Sequence, residues 1–275
     1  MARKKILLTV TTYPLPSRSY DELVCTAGLL EDGSWIRIYP IPLSFLRELK
    51  HAGIVKDTKY TWIELDLEKR PDDFRPESHS PKDYQFKDMH IGEHLDTGTN
   101  WAERKKYCLQ NVYTNLTQLI DDSKAPNNTS LATFKPTEIT GFEIEKDTDD
   151  WKPVWKALQQ QLTLFGETGE PRKVVPKVPY KFYYRFIDDQ GKKARLMIED
   201  WEIGMLFWNC MKSSGNDEKI ALEKVRLKYD VDFRNNKDIY LFLGTTKEWH
   251  IRRATNPFVI IGVFYPKKEP QLSLF

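Results

Sequence analysis

Cysteine is scarce in this chain: three residues, Cys25, Cys108 and Cys210, stand far apart among 275. Without a CxxC pair there is no basis for a thiolate zinc site or for a disulfide framework. Long apolar runs are missing as well. The basic start Met1-Ala2-Arg3-Lys4-Lys5 leads only into residues 6–10, too short for a signal-peptide core. No segment approaches the roughly 18 apolar residues of a membrane helix. No membrane partner is expected, and the chain reads as cytoplasmic. It also lacks an excess of either charge: 42 Lys and Arg stand against 40 Asp and Glu, a net charge of +2. Any contact with nucleic acid must therefore come from a local patch, not from bulk charge. There is no P-loop, GxGxxG, GxSxG or kinase signature, which argues against ATP-driven, dinucleotide-linked and serine-hydrolase chemistry. No PD…(D/E)xK pattern falls on suitable strands, and no internal repeat or low-complexity tract is present.

What is there is a globular composition, 40% hydrophobic and 30% charged. Aromatics make up 13%, with eight Trp, enough to build cores and to offer faces on which bases stack. Alternation of apolar and polar residues predicts strands over 4–12, 35–39 and 60–67, and 20–30 reads as a strand or a mixed strand and helix. Asp32-Gly33 is a hairpin turn, and a short helix follows at 44–49. These short strands suggest a small β-barrel or curled sheet over 1–98. Residues 70–96 are polar and proline-bearing and read as a long loop with short strands. Helical spacing covers 101–120 and 151–165, with a strand over 134–145 between them, giving a helical connector over 99–165. Two Gly and three Pro make 166–179 the linker. From 180 to 266 the order is ββααββ, with Asp200 as N-cap of a helix that buries Ile203, Leu206, Phe207, Cys210 and Met211. The fold class is α+β, and residues 267–275 form an exposed tail.

That tail ends in Gln271-Leu272-Ser273-Leu274-Phe275, set off by Pro266 and Pro270, which favour extended chain. The pentapeptide resembles the bacterial sliding-clamp-binding motif, Gln-Leu-Ser/Asp-Leu-Phe, at all five positions. The resemblance implies that Gln271 makes polar contacts at the mouth of the clamp's cleft while Leu272, Leu274 and Phe275 fill it, with Ser273 between them. Three such side chains bury roughly 5–8 kcal/mol gross. Ordering costs take back much of that, leaving an affinity of about micromolar or weaker, suited to a tether. The partners implied are the sliding clamp and DNA, and the natural settings are repair and defence against foreign or modified DNA.

Four constellations are candidates for the chemistry. Strand 181–186 carries Lys181, Tyr183 and Arg185 on one face and Phe182, Tyr184 and Phe186 on the other. With Lys192, Lys193 and Arg195 from its hairpin, the first face suits phosphates and a stacked base; the plainer reading is a solvated hairpin over an aromatic core. His90-Ile91-Gly92-Glu93-His94 has the HxxEH spacing of inverted zinc peptidases, but Gly92 and the polar surroundings oppose the helix that motif needs, so zinc is not expected. Glu199, Asp200 and Glu202 at a strand-to-helix junction, with His250, suit hydrolysis, with Mg²⁺ as a candidate ion and His250 as general base or, with Arg252, as a phosphate contact; capping alone accounts for Asp200 and Glu202. Tyr13, Ser17, Ser19, Tyr20, Asp21 and Glu22, with Arg75, Glu77, His79 and Trp35, would make a pocket at the barrel mouth for a flipped base, or a loop closed by Arg75 salt bridges. The function expected is recognition or processing of DNA, by a glycosylase-like or metal-dependent hydrolase, by a modified-base reader, or by a clamp-directed inhibitor of replication. An RNA-binding module is the remaining class.

Overall fold

The computed structural model describes residues 2–13, 15–16, 22–53, 55–151, 153 and 176–269. Most of the expected helix over 151–165, most of the linker, the loop residues Ser17, Ser19, Tyr20 and Asp21, and tail residues 271–275 lie outside them.

In β1 (Ala2–Thr11) and β5 (Thr61–Lys69) alternate residues point to one side. Those residues, Ile6, Leu8, Ile63, Leu65 and Leu67, meet Val24 from β3 (Glu22–Leu29) and Ile36 and Ile38 from β4 (Trp35–Pro42) in a closed interior. The Asp-Gly signal holds: β3 turns into β4 through Gly33 at φ +73°, a backbone region glycine enters without strain. β4 pairs in parallel with β6 (Ser78–Pro81), β6 with β5, and β5 with β1, so five strands close into a barrel. A short β2 (Leu15–Pro16) extends β3, and β7 (His90–His94) extends β5. Leu46 of α1 (Leu43–His51) and Phe86 cap the interior.

The region read as one helix over 101–120 is broken in two. α2 (Gly98–Cys108) ends early, β8 (Val112–Tyr113) intervenes, and α3 (Leu116–Asp122) restarts on Asn115, whose side chain accepts from the Gln118 N–H at 2.9 Å. The apolar spacing was a sum of two helices with a cap between them. Likewise 134–145 is two strands, β9 (Leu131–Phe134) and β10 (Glu138–Lys146), with a bulge at Gly141.

The second sheet runs β10, β11 (Tyr180–Ile187), β12 (Lys193–Ile198), β14 (Phe258–Phe264), β13 (Tyr240–Thr245), β9, β8. On one face lie α4 (Trp201–Ser213), α5 (Glu218–Arg226), a π-helical turn (Leu227–Asp232) and α6 (Phe233–Asn236), burying Tyr184, Phe186, Phe207, Val225 and Tyr229. Asp200 caps α4 as its sequence position predicts, and Ile203, Phe207 and Cys210 are buried while Leu206 and Met211 pack partly. The other face, through Leu131, Phe242, Ile261 and Phe264, packs on the outer wall of the barrel at Leu7, Val10, Ala27, Leu29 and Trp62. The molecule is thus α+β, a barrel and a sheet with helices, joined by a third apolar cluster at their seam. Among the described residues no helix is long and apolar enough to cross a membrane.

Candidate functional site

Where β1 runs out, the chain is sewn to the second sheet by its backbone. The Tyr13 N–H donates to the Glu199 carbonyl at 3.0 Å, Thr12 bridges to Asp200, and the Glu199 N–H donates to Ile260 at 2.7 Å. Beyond this stitch the seam opens into a cavity of about 930 Å³, within the range of small-molecule and cofactor sites. The barrel contributes Tyr13, Arg37, Tyr39, Arg70 and Arg75; the second unit contributes Lys177, Tyr180, Lys181, Glu199 and the stretch from Thr245 to Trp249. The barrel interior is filled, so the pocket expected at the barrel mouth is instead between the modules. Trp35, expected to line it, packs edge-on against Phe242 in the seam core at 5.1 Å between centroids.

Glu199 lines this cavity. Among the described residues its carboxylate has neither a hydrogen-bond donor nor a cation in reach, and burial raises its pKa above the ordinary carboxylate value. Arg37 is the complementary group. It is 3% exposed, and its guanidinium donates to Ser78 Oγ at 3.2 Å and to Ser130 Oγ at 2.8 Å. Among the described residues no carboxylate is within salt-bridge distance of it. Glu77 instead holds Ser130, accepting from its N–H and its hydroxyl at 2.9 and 2.7 Å. Removing a charge from water without a direct counter-ion is costly, and burial pulls the Arg37 pKa down. The wall thus keeps a cation that is linked to Glu77 through Ser130.

The other carboxylates of the junction diverge. Asp200 is 2% exposed; one oxygen accepts the Glu202 N–H at 3.1 Å, and the other, Oδ2, has no hydrogen-bond partner among the described residues and lies 4.0 Å from Lys59. Burial, and the like charge of Glu202, push it up to about 7. Glu202 pairs with Lys59 at 2.7 Å in a second cavity of about 410 Å³ on the far side of the α4 start. Glu199 and Glu202 therefore open on different cavities and do not make a shared Mg²⁺ ligand set. Among the described residues no three His, Cys, Asp or Glu side chains cluster to hold a metal. His90 and His94 sit on strand β7, about 13 Å apart along it, which removes the helical geometry of HxxEH.

His250 does not serve as an open base. It lies on a short helix, α7 (Lys247–Ile251), 7% exposed, with Nδ1 against Thr245 Oγ1 at 3.0 Å and Nε2 against the Ser123 carbonyl. Both ring nitrogens are occupied, and burial lowers its pKa. Arg75 does line the cavity, but as the closed loop its sequence allowed: it forks onto Asp73 (2.9 and 2.6 Å) and donates to the Thr245 carbonyl at 2.8 Å. His79 Nδ1–H donates to the Glu77 carbonyl, 2.8 Å away. The Tyr13 hydroxyl donates to Pro176 at 2.6 Å and takes the Trp208 indole N–H at 3.0 Å. Its ring lies so close to Gly204 that a Cβ there would come within 2.3 Å.

The basic strand is balanced by its neighbour. Glu143 on β10 takes Arg185 at 2.9 Å and Arg195 at 2.6 Å, Glu145 also takes Arg195, and Arg195 covers the Tyr183 ring at 3.5 Å. Lys181 faces Asp147 at 3.6 Å. Lys192 and Lys193 sit at the hairpin end of β11, about 23 Å along the strand from Tyr180. Arg252 pairs with Glu248 at 2.9 Å. Of the predicted site, Tyr13, Arg75, Lys181, Glu199 and Asp200 come together; Tyr183, Arg185, Lys192, Lys193, Arg195, His250 and Arg252 lie off the cavity lining. Sequence reasoning missed Arg37 and Trp249. The alternation Ile36-Arg37-Ile38 does set Arg37 on the outer wall of the barrel; what it lacks is any sign that this wall is covered.

Residues 100–275, well over half of the chain, match the family described as a domain of unknown function (DUF8757), and the chain belongs to it. Residues 2–110 match a second domain of unknown function (DUF8758). No curated protein matches. Among solved structures the chain is similar to a murine DNA-binding protein bound to double-stranded DNA, at 8% identity and a TM-score of 0.33, over 98% of this chain and 99% of that one.

Proposed function

We propose that this protein is brought to DNA by the sliding clamp, through Gln271, Leu272, Ser273, Leu274 and Phe275, and receives an unstacked nucleotide in the seam cavity. The observation that carries the reading is the cavity itself. It has room for a nucleotide, aromatic rings in its wall, a buried guanidinium toward which a phosphate or carbonyl is drawn, and one carboxyl that has no partner among the described residues. Enzymes and readers that act on a base take it out of the stack into such a site and recognise its edge by hydrogen bonds.

Glu199 is the residue assigned to the chemistry. Burial raises the Glu199 pKa, so the carboxyl keeps its proton more readily than an ordinary Glu; protonated, it can donate to a departing base, and as carboxylate it takes a proton from water. In a non-catalytic reader the same carboxylate accepts from an exocyclic amine. Arg37 orients the nucleotide, and Lys181 stands at the rim. The setting is repair or defence against modified DNA, in the cytoplasm where the clamp works. The test is turnover: plain and modified duplexes are incubated with the protein, with and without Mg²⁺, and abasic sites and nicks are scored. Product from wild type and none from E199Q identifies a hydrolase. Binding of modified duplex by wild type, weakened in E199Q, without product, identifies a reader. Neither binding nor product rejects the proposal. In parallel, deletion of 271–275 is expected to abolish clamp capture and leave thermal stability unchanged; unaltered capture rejects the tether.

A further inference from the structure

The rim of the seam cavity carries an aromatic side chain that the fold does not need. Trp249 is 49% exposed and also lines the cavity. It stands on a firmly built pedestal. Thr246 caps α7, accepting the Trp249 N–H at 3.3 Å. The next residue, His250, is buried and held at both nitrogens, to Thr245 and Ser123. Across the rim Phe74, 45% exposed, packs edge-on against that imidazole at 4.9 Å. Lys247 donates to the Asp72 carbonyl and Arg75 to the Thr245 carbonyl, so the loop carrying Phe74 and the helix carrying Trp249 are stapled together. A Trp left half in water on a rigid support is an arrangement suited to a partner rather than to the core.

The charge beside it says which partner. Arg252 and Arg253 follow directly and are exposed. Arg252 makes a surface pair with Glu248 and lies over the Trp249 ring at 5.7 Å from its centroid; exposed contacts of this kind are worth little against a stronger anion. Arg253 turns the chain at φ +51° and has no ion pair among the described residues. A wedge-shaped apolar side chain flanked by cations, at the mouth of a cavity sized for a nucleotide, matches the way proteins open a base step and hold the strand that has been kinked.

We propose that Trp249 enters the base stack of double-stranded DNA and fills the gap left by the nucleotide that moves into the seam cavity, with Arg252 and Arg253 holding the flanking phosphates. This rests on the reading that the cavity receives a nucleotide. It is tested with a short duplex carrying 2-aminopurine at a mispaired position, whose fluorescence rises when the base leaves the stack. Wild type raises the signal. W249A binds about tenfold more weakly, the scale of one lost base–aromatic stack, and loses most of the rise at saturation, whereas W249F keeps most of both. R253A weakens binding and lowers the salt slope by about 1, with the rise at saturation retained. Circular dichroism confirms that each variant is folded. A rise in W249A equal to wild type overturns the wedge and leaves nucleotide capture standing. Duplex binding by wild type with no rise overturns capture and the wedge with it. Preference for single-stranded DNA or RNA over duplex, with the same dependence on Trp249, overturns the duplex wedge in favour of a stacking platform.

Discussion

Glu199 and Asp200 are adjacent carboxylates with opposite fates. Strand alternation at the end of β12 turns Glu199 to the seam cavity, while Asp200 turns in to cap α4. The cap was legible, because an Asp before a helical stripe has one strongly preferred use. The place of Glu199 on the cavity wall was not, because it depends on a barrel wall more than a hundred residues earlier in the chain. Asp200 has a consequence for pH. Its carboxyl is pushed up to about 7 in the folded state from an ordinary 3.8, so the folded chain holds the proton more tightly than the unfolded chain. Stability is greatest below the unfolded value and falls as pH rises toward 7. D200N keeps a good N-cap and removes the titration. Its stability relative to wild type is expected to grow between pH 4 and 7, reaching roughly 1–3 kcal/mol at pH 8, in urea denaturation run across that range. A difference that stays flat would mean the carboxyl is ionised throughout.

Elements decide what a charge is worth. Read as a linear stretch, Lys181, Arg185 and Arg195 have only Asp188 and Asp189 against them. Folded, they lie beside β10, which brings Glu143, Glu145 and Asp147 into pairing distance. Those acids lie at 143–147, more than thirty residues before β11 begins at Tyr180, across a stretch without a strand pattern, so the pairing was not readable. What was readable is the alternation itself, and Phe182, Tyr184 and Phe186 do point inward. Because Arg185 is half exposed and already answered by Glu143, R185E is expected to change stability by less than about 1 kcal/mol. If the protein binds DNA as proposed, R185E should leave the salt slope of that binding as in wild type, measured by titration at several salt concentrations. A flattened slope would return the strand to the DNA interface. HxxEH fails at this scale too, since the same spacing that gathers two histidines on a helix separates them on a strand.

At the scale of the molecule, the barrel and the second sheet share an apolar cluster built from both. Each module had its own pattern in the sequence. Their contact did not, since Trp62, Leu7 and Phe242 look alike whether they face an interior or another domain. Phe242 is fully buried and meets Trp35 of the barrel and Phe264 of its own sheet. F242A is expected to cost about 3–5 kcal/mol. Near- and far-UV circular dichroism should still report one melting transition, shifted as a whole. Two transitions, with the barrel melting apart, would show that the seam does not couple the modules.

The seam also bears on how such a protein changes over generations. The interior of the barrel and the core beneath the helices are complete without the cavity, whose wall is assembled from strand ends and loops supplied by both parts. Substitutions at Tyr39, Lys177 or Trp249 alter what the cavity accepts without emptying either core. Descendants of this chain can therefore drift toward new ligands while both scaffolds persist, and a change on one wall can be answered by a compensating change on the other.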